Sequence, residues 1–135
     1  MVARKLGFPP SVISLLGDVD PTELGNLSGL SDIDSVTIRP APRWLVRIWR
    51  SDVAAMTVPW AIYVRSDVLG GDSSRLAGLV GHELVHVRQW RELGTLRFVR
   101  RYLSEYLHGR RRGLRHSQAY LAISLEKEAR EISGY

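Results

Sequence analysis

The sequence predicts an α+β fold: a small β-sheet with an exposed edge strand, packed on a long helix, followed by a glutamate-bearing helix near the C-terminus. Three observations predict it. Residues 35–39 and 61–65 alternate apolar and polar side chains, as a strand with one buried face does. Residues 74–93 form a long segment rich in apolar residues, and residues 96–133 carry helical periodicity that glycines interrupt.

Composition limits the size and class of the protein. A chain of 135 residues with 44% hydrophobic content can bury one sizeable core, so residues 1–135 are predicted to form a single domain. The absence of cysteine excludes disulfides and thiolate metal sites. With no recognisable signal peptide and no run of about 18 apolar residues, we expect a cytoplasmic protein without a transmembrane segment.

The first half of the chain gives short elements. "SVISLL" predicts a helix over 11–16 that Gly17 ends, and Pro21 is suited to the start of a second helix. In "SVTIR", Val36 and Ile38 alternate with polar residues, which predicts a strand. "PRWLVRIWR" places apolar residues at helical spacing between arginines, which favours a short amphipathic helix over a strand.

The clearest strand pattern is "AMTVPWAIYVRS" (55–66), in which Ile62 and Val64 lie opposite Tyr63 and Arg65, and Pro59 stands where it would break a central ladder. Proline cannot donate to the hydrogen-bond ladder of a central strand, so it predicts either the first residue of a strand or a sheet edge. "GGDSS" then supplies a turn and N-cap residues for the helix of 74–93, which Gly94 is expected to end.

Two further helices are predicted after Gly94. The first is amphipathic, with one apolar stripe and arginines outside it; the stripe comprises Leu96, Val99, Leu103, Tyr106 and Leu107. "GRRRG" ends that helix. Residues 116–133 form a last helical region, with a kink or a new N-cap at Ser124.

The stretch "LVGHELVHVRQW" carries the chemistry. On a helix, His82 and His86 lie one turn apart on the same face, where both imidazoles can bind one Zn²⁺ ion. Glu83 is rotated by about 100° from His82, which suits a base that takes a proton from metal-bound water. The apolar neighbours predict a buried helix, where unpaired imidazoles would be costly. The alternative is a chance match on a surface helix.

A catalytic zinc site normally has three protein ligands. The extended pattern HExxHxxGxxH fails here, because Gln89 and Glu92 occupy its glycine and last histidine positions. The third ligand must therefore come from elsewhere, and the candidates are Glu126, Glu128 and His116, with Glu105 and His108 behind them.

The combination of "HELVH" with the later "EKEAR" resembles the gluzincin class of zinc metallopeptidases. The resemblance spans about residues 54–130 and is closest to the minimal one-domain minigluzincins and related short peptidase-like domains of larger bacterial proteins. It implies that Glu126 is the third ligand and Ala129 the small residue that lets two helices approach. Arg130 stands where the family often has Asp or Asn, a residue that commonly orients the first histidine.

The resemblance implies a zinc-dependent metallopeptidase that hydrolyses peptide bonds of a peptide or protein substrate, with Glu83 activating the metal-bound water. It also implies that extended substrate pairs with an edge strand, for which Ala61–Arg65 is the candidate. Helical spacing keeps Glu128 open as the ligand, because it lines up with Leu121, Leu125 and Ile132. Tyr120 and His116 are candidates for stabilising an oxyanion.

Two other functions stay open. One is a latent or inactive zinc-binding peptidase-like module of a larger system. The other is a basic adaptor for nucleic acid or an anionic membrane surface, suggested by the net charge of +5 and by nine arginines between Arg88 and Arg115. Nucleic acid is disfavoured because no helix-turn-helix or zinc-finger pattern occurs, and a solvated helix face also accounts for the arginines. The oligomeric state is left open.

Overall fold

The computed structural model describes residues 21–30, 35–49, 53–69 and 73–134. The helix predicted over 11–16 lies outside these residues. The described elements, in chain order, are α1 (Pro21–Ser28), β1 (Ile38–Pro40), α2 (Arg43–Ile48), β2 (Ala55–Val58), β3 (Ala61–Val64), α3 (Ser66–Leu69), α4 (Ser73–Leu93), α5 (Thr95–Arg111), α6 (His116–Leu121) and α7 (Ser124–Ser133). The fold is therefore mixed α and β, with a small sheet and mostly helical content, as predicted.

The sheet has three strands in the order β1-β3-β2. Strand β1 runs parallel to β3, with Ile38 opposite Ile62, and β2 runs antiparallel to β3, with Thr57 opposite Ile62. The segment 61–65, predicted as the edge strand, is thus the central strand, and that prediction is wrong. Val58 pairs with Ala61, so Pro59 lies in a two-residue hairpin turn, where its missing N–H costs no ladder hydrogen bond. The edge strand beside the long helix is β2.

The first hydrophobic cluster lies between the sheet and α4. Ile38, Ile62 and Val64 contribute from the sheet and Val80 and Leu84 from the helix, and all five are fully buried. Each such side chain contributes about 1.5–3 kcal/mol of transfer free energy on burial. This packing fixes α4 against β3 and β2, which places the helix that carries both candidate histidines beside the edge strand.

A second cluster joins α4 to the C-terminal helices. Its buried residues are Phe98, Ile123 and Leu125, and the Trp90 ring stacks on Phe98 with ring centroids 4.0 Å apart. Helix α7 packs against α4, and its Ala129 is fully buried. The interruption predicted near Ser124 separates α6 from α7. This arrangement brings the N-terminal turn of α7 against the histidine face of α4.

Of the stripe predicted for helix α5, only Tyr106 packs inward, and the leucines of the stripe do not. Its inward face consists of Phe98, Tyr102 and Tyr106, whereas Leu96 and Leu103 are 80% and 52% exposed. Periodicity alone cannot decide which of two adjacent apolar faces is buried, and here the aromatic face is selected because Trp90 lies opposite it. None of the described helices is both long enough and apolar enough to cross a bilayer.

Candidate metal centre

His82 and His86 lie one turn apart on the buried face of α4. Their exposed fractions are 7% and 4%, and the ring centroids are 5.0 Å apart. The helix forms and is buried here because Leu79, Val80, Leu84 and Val85, which surround the two histidines, all belong to the core. Two imidazoles are therefore held side by side in a largely water-free environment.

Glu126, in the first turn of α7, faces both histidines. Its Oε1 lies 3.0 Å from His82 Nε2 and its Oε2 lies 3.1 Å from His86 Nε2. The three residues are buried, and each presents one ligand atom within 4.8 Å of the others. Of the carboxylates proposed from the sequence, Glu126 is the one that the structure brings to this cluster.

The position of Glu126 depends on how α7 begins. Glu105 of α5 accepts hydrogen bonds from the Ser124 backbone N–H at 2.7 Å and from the Ser124 hydroxyl at 3.0 Å. A carboxylate at a helix N-terminus satisfies its unpaired N–H groups and interacts favourably with the helix dipole. Burial opposes ionisation of Glu105, but the Ser124 backbone and side-chain hydrogen bonds lower its pKa overall. Glu105 thus anchors α7 and lies away from the histidines as a capping group.

The charges of the cluster favour an anionic carboxylate. Burial opposes ionisation of Glu126, but hydrogen bonding with His82 and interaction with His86 hold its pKa well below the usual value. Burial would lower the pKa of His86, yet the Glu126 carboxylate and the charge of Glu83 raise it to about 9. In the metal-free protein, His86 and Glu126 therefore form a buried ion pair at neutral pH.

The donor set fits a zinc ion. Neutral imidazole nitrogens and a carboxylate oxygen are ordinary zinc ligands, and three protein ligands leave one coordination position open. Although His86 Nε2 is buried beside Glu126, it has no aligned hydrogen-bond partner among the described residues. A divalent cation would give this nitrogen a partner and would satisfy the Glu126 carboxylate.

The two histidines differ in what supports them from behind. His86 Nδ1 lies 2.7 Å from Gln89 Oε1, whereas the buried His82 Nδ1 has no hydrogen-bond partner within the described part of the chain. Arg130, which occupies the position where the resembling peptidases often have Asp or Asn, donates instead to the Leu121 carbonyl oxygen at 2.7 Å. Within the described residues, the orienting contact is therefore made to His86 and not to His82.

Glu83 lies beside the cluster and points toward the edge strand. It is 6% exposed, and the Thr57 hydroxyl of β2 donates a hydrogen bond of 2.6 Å to its Oε2. The carboxylate is therefore held at a fixed place next to the histidines. Sequence reasoning did not identify Thr57, although its position on a strand that passes the helix could have suggested it.

Two tyrosines surround the Glu126 carboxylate. The Tyr102 hydroxyl donates to Glu126 Oε2 at 2.7 Å, and the pKa of Tyr102 is raised by burial and by the Glu126 charge. Tyr120, the oxyanion candidate, also has a raised pKa, caused by burial and by the nearby Glu126. Sequence reasoning did not single out Tyr102. The helical spacing of Phe98, Tyr102 and Tyr106 is the pattern that could have identified the buried face to which Tyr102 belongs.

The other candidates lie elsewhere. Glu128 accepts a hydrogen bond from Gln89 Nε2 at 2.7 Å and interacts with Arg88, so it stands behind Gln89 rather than against the histidine Nε2 atoms. His116 Nδ1 lies 2.8 Å from the Tyr106 hydroxyl, and His108 is exposed.

Comparisons of the chain with protein-family models, curated proteins and solved structures found no match.

Proposed function

We propose that the protein is a zinc-dependent metallopeptidase that hydrolyses peptide bonds. The single observation that carries the proposal is the convergence of His82, His86 and Glu126, from two separate helices, on one buried point. The presence of Glu83 beside that point and the resemblance of "HELVH" and "EKEAR" to gluzincins add support. A bound zinc ion would polarise the scissile carbonyl group and lower the pKa of the attacking water.

His82, His86 and Glu126 are the proposed metal ligands, and Glu83 is the proposed catalytic base. Glu83 accepts the proton of the attacking water and passes it to the leaving amine. The hydrogen bond from Thr57 keeps the Glu83 carboxylate oriented while the substrate binds. Tyr120 is the proposed stabiliser of the developing oxyanion, because its hydroxyl lies close to Glu126 and the residue is partly exposed at the surface.

The edge strand β2 suits the binding of an extended substrate. Antiparallel strands alternate between hydrogen-bonded and non-hydrogen-bonded residue pairs. Because Val58 and Ala61 close a two-residue hairpin, Ala55 and Thr57 fall at positions whose backbone groups point away from β3. A peptide added as a further strand would bind these groups and would lie beside Glu83. This assigns to β2 the role that sequence reasoning gave to Ala61–Arg65.

A second candidate is a latent zinc-binding module, and the burial of the site favours it. His82, Glu83, His86 and Glu126 are each at most 7% exposed, so a substrate carbonyl has little open access. In that case the metal site would form without turnover until a partner or a conformational change opened it.

The proposal is tested by metal analysis of protein purified without chelators or metal-affinity resin, followed by cleavage assays on a broad peptide library. Zinc near one equivalent with cleavage supports the peptidase. Glu83→Gln should then keep zinc and lose hydrolysis, whereas His86→Ala should lose both. Zinc without cleavage favours the latent module, and absence of a bound divalent metal after zinc loading contradicts both candidates.

A further inference from the structure

Gln89 is one turn beyond His86 on α4, and only 2% of it is exposed. Its side chain makes three hydrogen-bond contacts: Oε1 lies 2.7 Å from His86 Nδ1, while Nε2 donates to the Leu125 carbonyl oxygen at 3.0 Å and to Glu128 Oε1 at 2.7 Å. Because the oxygen and the nitrogen of this buried amide contact different partners, the side chain has one well-defined orientation.

The chemistry of these contacts fixes the proton on His86. A carbonyl oxygen and a carboxylate can only accept hydrogen bonds, so the Gln89 amide must turn its NH₂ group toward Leu125 and Glu128. Its Oε1 therefore faces His86, and His86 Nδ1 must be the donor. Both the neutral ring with this tautomer and the charged ring carry a proton on Nδ1. In either state, Nε2 is the nitrogen that faces Glu126.

We infer that Gln89 is a positioning residue that holds His86 with Nε2 directed into the metal site, and that Glu128 and the Leu125 carbonyl hold Gln89 in turn. The expected effect on zinc binding rests on the proposed zinc function, whereas the hydrogen bonds of Gln89 do not. His82 Nδ1 has no hydrogen-bond partner among the described residues. The contact that orients a histidine ring is instead made to His86, by Gln89.

The experiment measures zinc affinity by competition with a chromophoric chelator in a set of variants. Gln89→Leu should weaken zinc binding by roughly 10- to 100-fold, the usual effect of losing such a partner. Gln89→Glu should also weaken it, since its carboxylate would face both Glu128 and the Leu125 carbonyl. The exchange Gln89→Glu with Glu128→Gln should recover part of the affinity, because the amide introduced at position 128 can donate to the carboxylate introduced at position 89, whereas the Leu125 carbonyl oxygen still faces an acceptor. Gln118→Leu, on the exposed side of α6, is the control and should change nothing.

A second readout separates this inference from the proposed function. In metal-free protein labelled with ¹⁵N in its histidines, the His86 Nδ1–H should give a signal protected from solvent exchange, which Gln89→Leu abolishes. If the parent protein binds no zinc, the proposed function fails. The presence of the His86 Nδ1–H signal in the parent and its loss in Gln89→Leu would still show whether Gln89 orients His86. Gln89→Leu with an unchanged Nδ1–H signal and unchanged zinc affinity would overturn the inference. Should Gln89→Leu not fold, Glu128→Ala, at a half-exposed position, tests the same support.

An independent observation concerns the outward face of α5. Leu96, Val99, Leu103 and Leu107 follow one another at helical spacing, and their exposed fractions run from 38% to 80%. We call these four residues the leucine stripe. No side chain in the described ranges covers it enough to bury any of the four. An exposed apolar stripe of this length is unusual for a free surface.

The surroundings of the leucine stripe are strongly basic. Arg97, Arg100, Arg110 and Arg111 are exposed on the same helix. The helix has a single acidic residue, Glu105, and its carboxylate is engaged by Ser124 on another side. A surface complementary to this face must be apolar at its centre and negatively charged around it.

We propose that the leucine stripe and its arginines dock on a lipid surface containing anionic headgroups. Leucines on one face and arginines beside them are the pattern of helices that lie in the membrane interface. A second copy of the chain fits less well, because it would bring the same arginines face to face.

The test is sedimentation of the full chain with vesicles that contain phosphatidylglycerol and with vesicles of phosphatidylcholine alone. Binding to the first only, weakened by salt, is expected. Leu103→Asn with Leu107→Asn, and separately Arg100→Gln with Arg111→Gln, should each reduce binding by roughly tenfold or more. Ile48→Asn, at an exposed position of α2, is the control. Absence of binding, equal binding to both vesicles, or a dimer that Leu103→Asn dissociates would overturn the proposal.

Discussion

The Thr57 hydroxyl donates a 2.6 Å hydrogen bond to Glu83 Oε2, which connects the edge strand directly to the carboxylate beside the two histidines. The contact joins residues 26 positions apart, and it exists because the first hydrophobic cluster presses α4 against the sheet. In the proposed peptidase, the strand that binds the substrate therefore also orients the base.

Replacing Thr57 should separate orientation of the base from metal binding. Thr57→Val keeps the shape of the side chain and removes the hydroxyl, so the Glu83 carboxylate loses the hydrogen bond that it accepts from Thr57. We expect roughly a tenfold or larger fall in kcat, with zinc affinity unchanged. The measurement is steady-state hydrolysis together with chelator competition.

Thr37→Val provides the matched control. The Thr37 hydroxyl, on the segment leading into β1, donates to the Trp60 carbonyl oxygen at 3.1 Å and does not touch Glu83. An equal fall in kcat for both variants would show that the effect is a general response of the sheet and would contradict the positioning role.

The two carboxylates of "EKEAR" are predicted to behave differently. Glu126→Gln should abolish tight zinc binding, because the buried carboxylate that faces both histidines is lost. Glu128→Gln should bind zinc nearly as the parent does, since a glutamine oxygen still accepts the hydrogen bond from Gln89. Isothermal titration with zinc distinguishes the two. The reverse order of effects would assign the ligand to Glu128.

This pair also shows what the sequence could predict and what it could not. The HExxH spacing and the later "EKEAR" identify the residues of the cluster, because a helix places residues four apart on one face whatever surrounds it. The choice between Glu126 and Glu128 depends on how α7 is rotated and where it begins. That rotation follows from the capping of Ser124 by Glu105, which is a contact between two helices.

The wrong predictions have the same cause. Residues 61–65 have the alternation of a strand, but only pairing on both sides shows that the strand is central. The leucines of α5 have the periodicity of a buried face, but the stacking of Trp90 on Phe98 selects the neighbouring aromatic face. Local patterns therefore predicted the elements, and tertiary neighbours determined which edges and faces are used.

The stability of the metal-free protein should depend on pH through the His86–Glu126 pair. The pKa of His86 rises on folding from 6.5 to about 9, so its contribution is fully present below pH 6.5 and is lost as the pH rises through about 9. The pKa of Glu126 falls on folding, so its contribution is present above 4.5 and is lost as the pH falls further.

Thermal unfolding of the metal-free protein should therefore show a Tm that declines between pH 6.5 and 9. His86→Ala should flatten this decline. Zinc affinity should change in the opposite direction and increase over the same range, because the ion must displace the proton on His86. A Tm that rises between pH 6.5 and 9 in the parent, with no difference in His86→Ala, would contradict the buried ion pair.

Two tyrosines near Glu126 are predicted to have separate roles. The Tyr102 hydroxyl donates to Glu126 Oε2 at 2.7 Å from the aromatic face of α5, so Tyr102→Phe should weaken zinc binding several-fold by leaving one carboxylate oxygen less well oriented. Tyr120 is 38% exposed, and its pKa is raised by burial and by the nearby Glu126 charge, so its hydroxyl lies close to that carboxylate. Tyr120→Phe should keep zinc affinity and lower kcat by roughly ten- to a hundredfold if it stabilises the oxyanion. Chelator competition and steady-state hydrolysis on both variants give the comparison. A loss of zinc in Tyr120→Phe, or a loss of kcat confined to Tyr102→Phe, would exchange the two assignments, because Tyr120 would then be the residue that orients the Glu126 carboxylate.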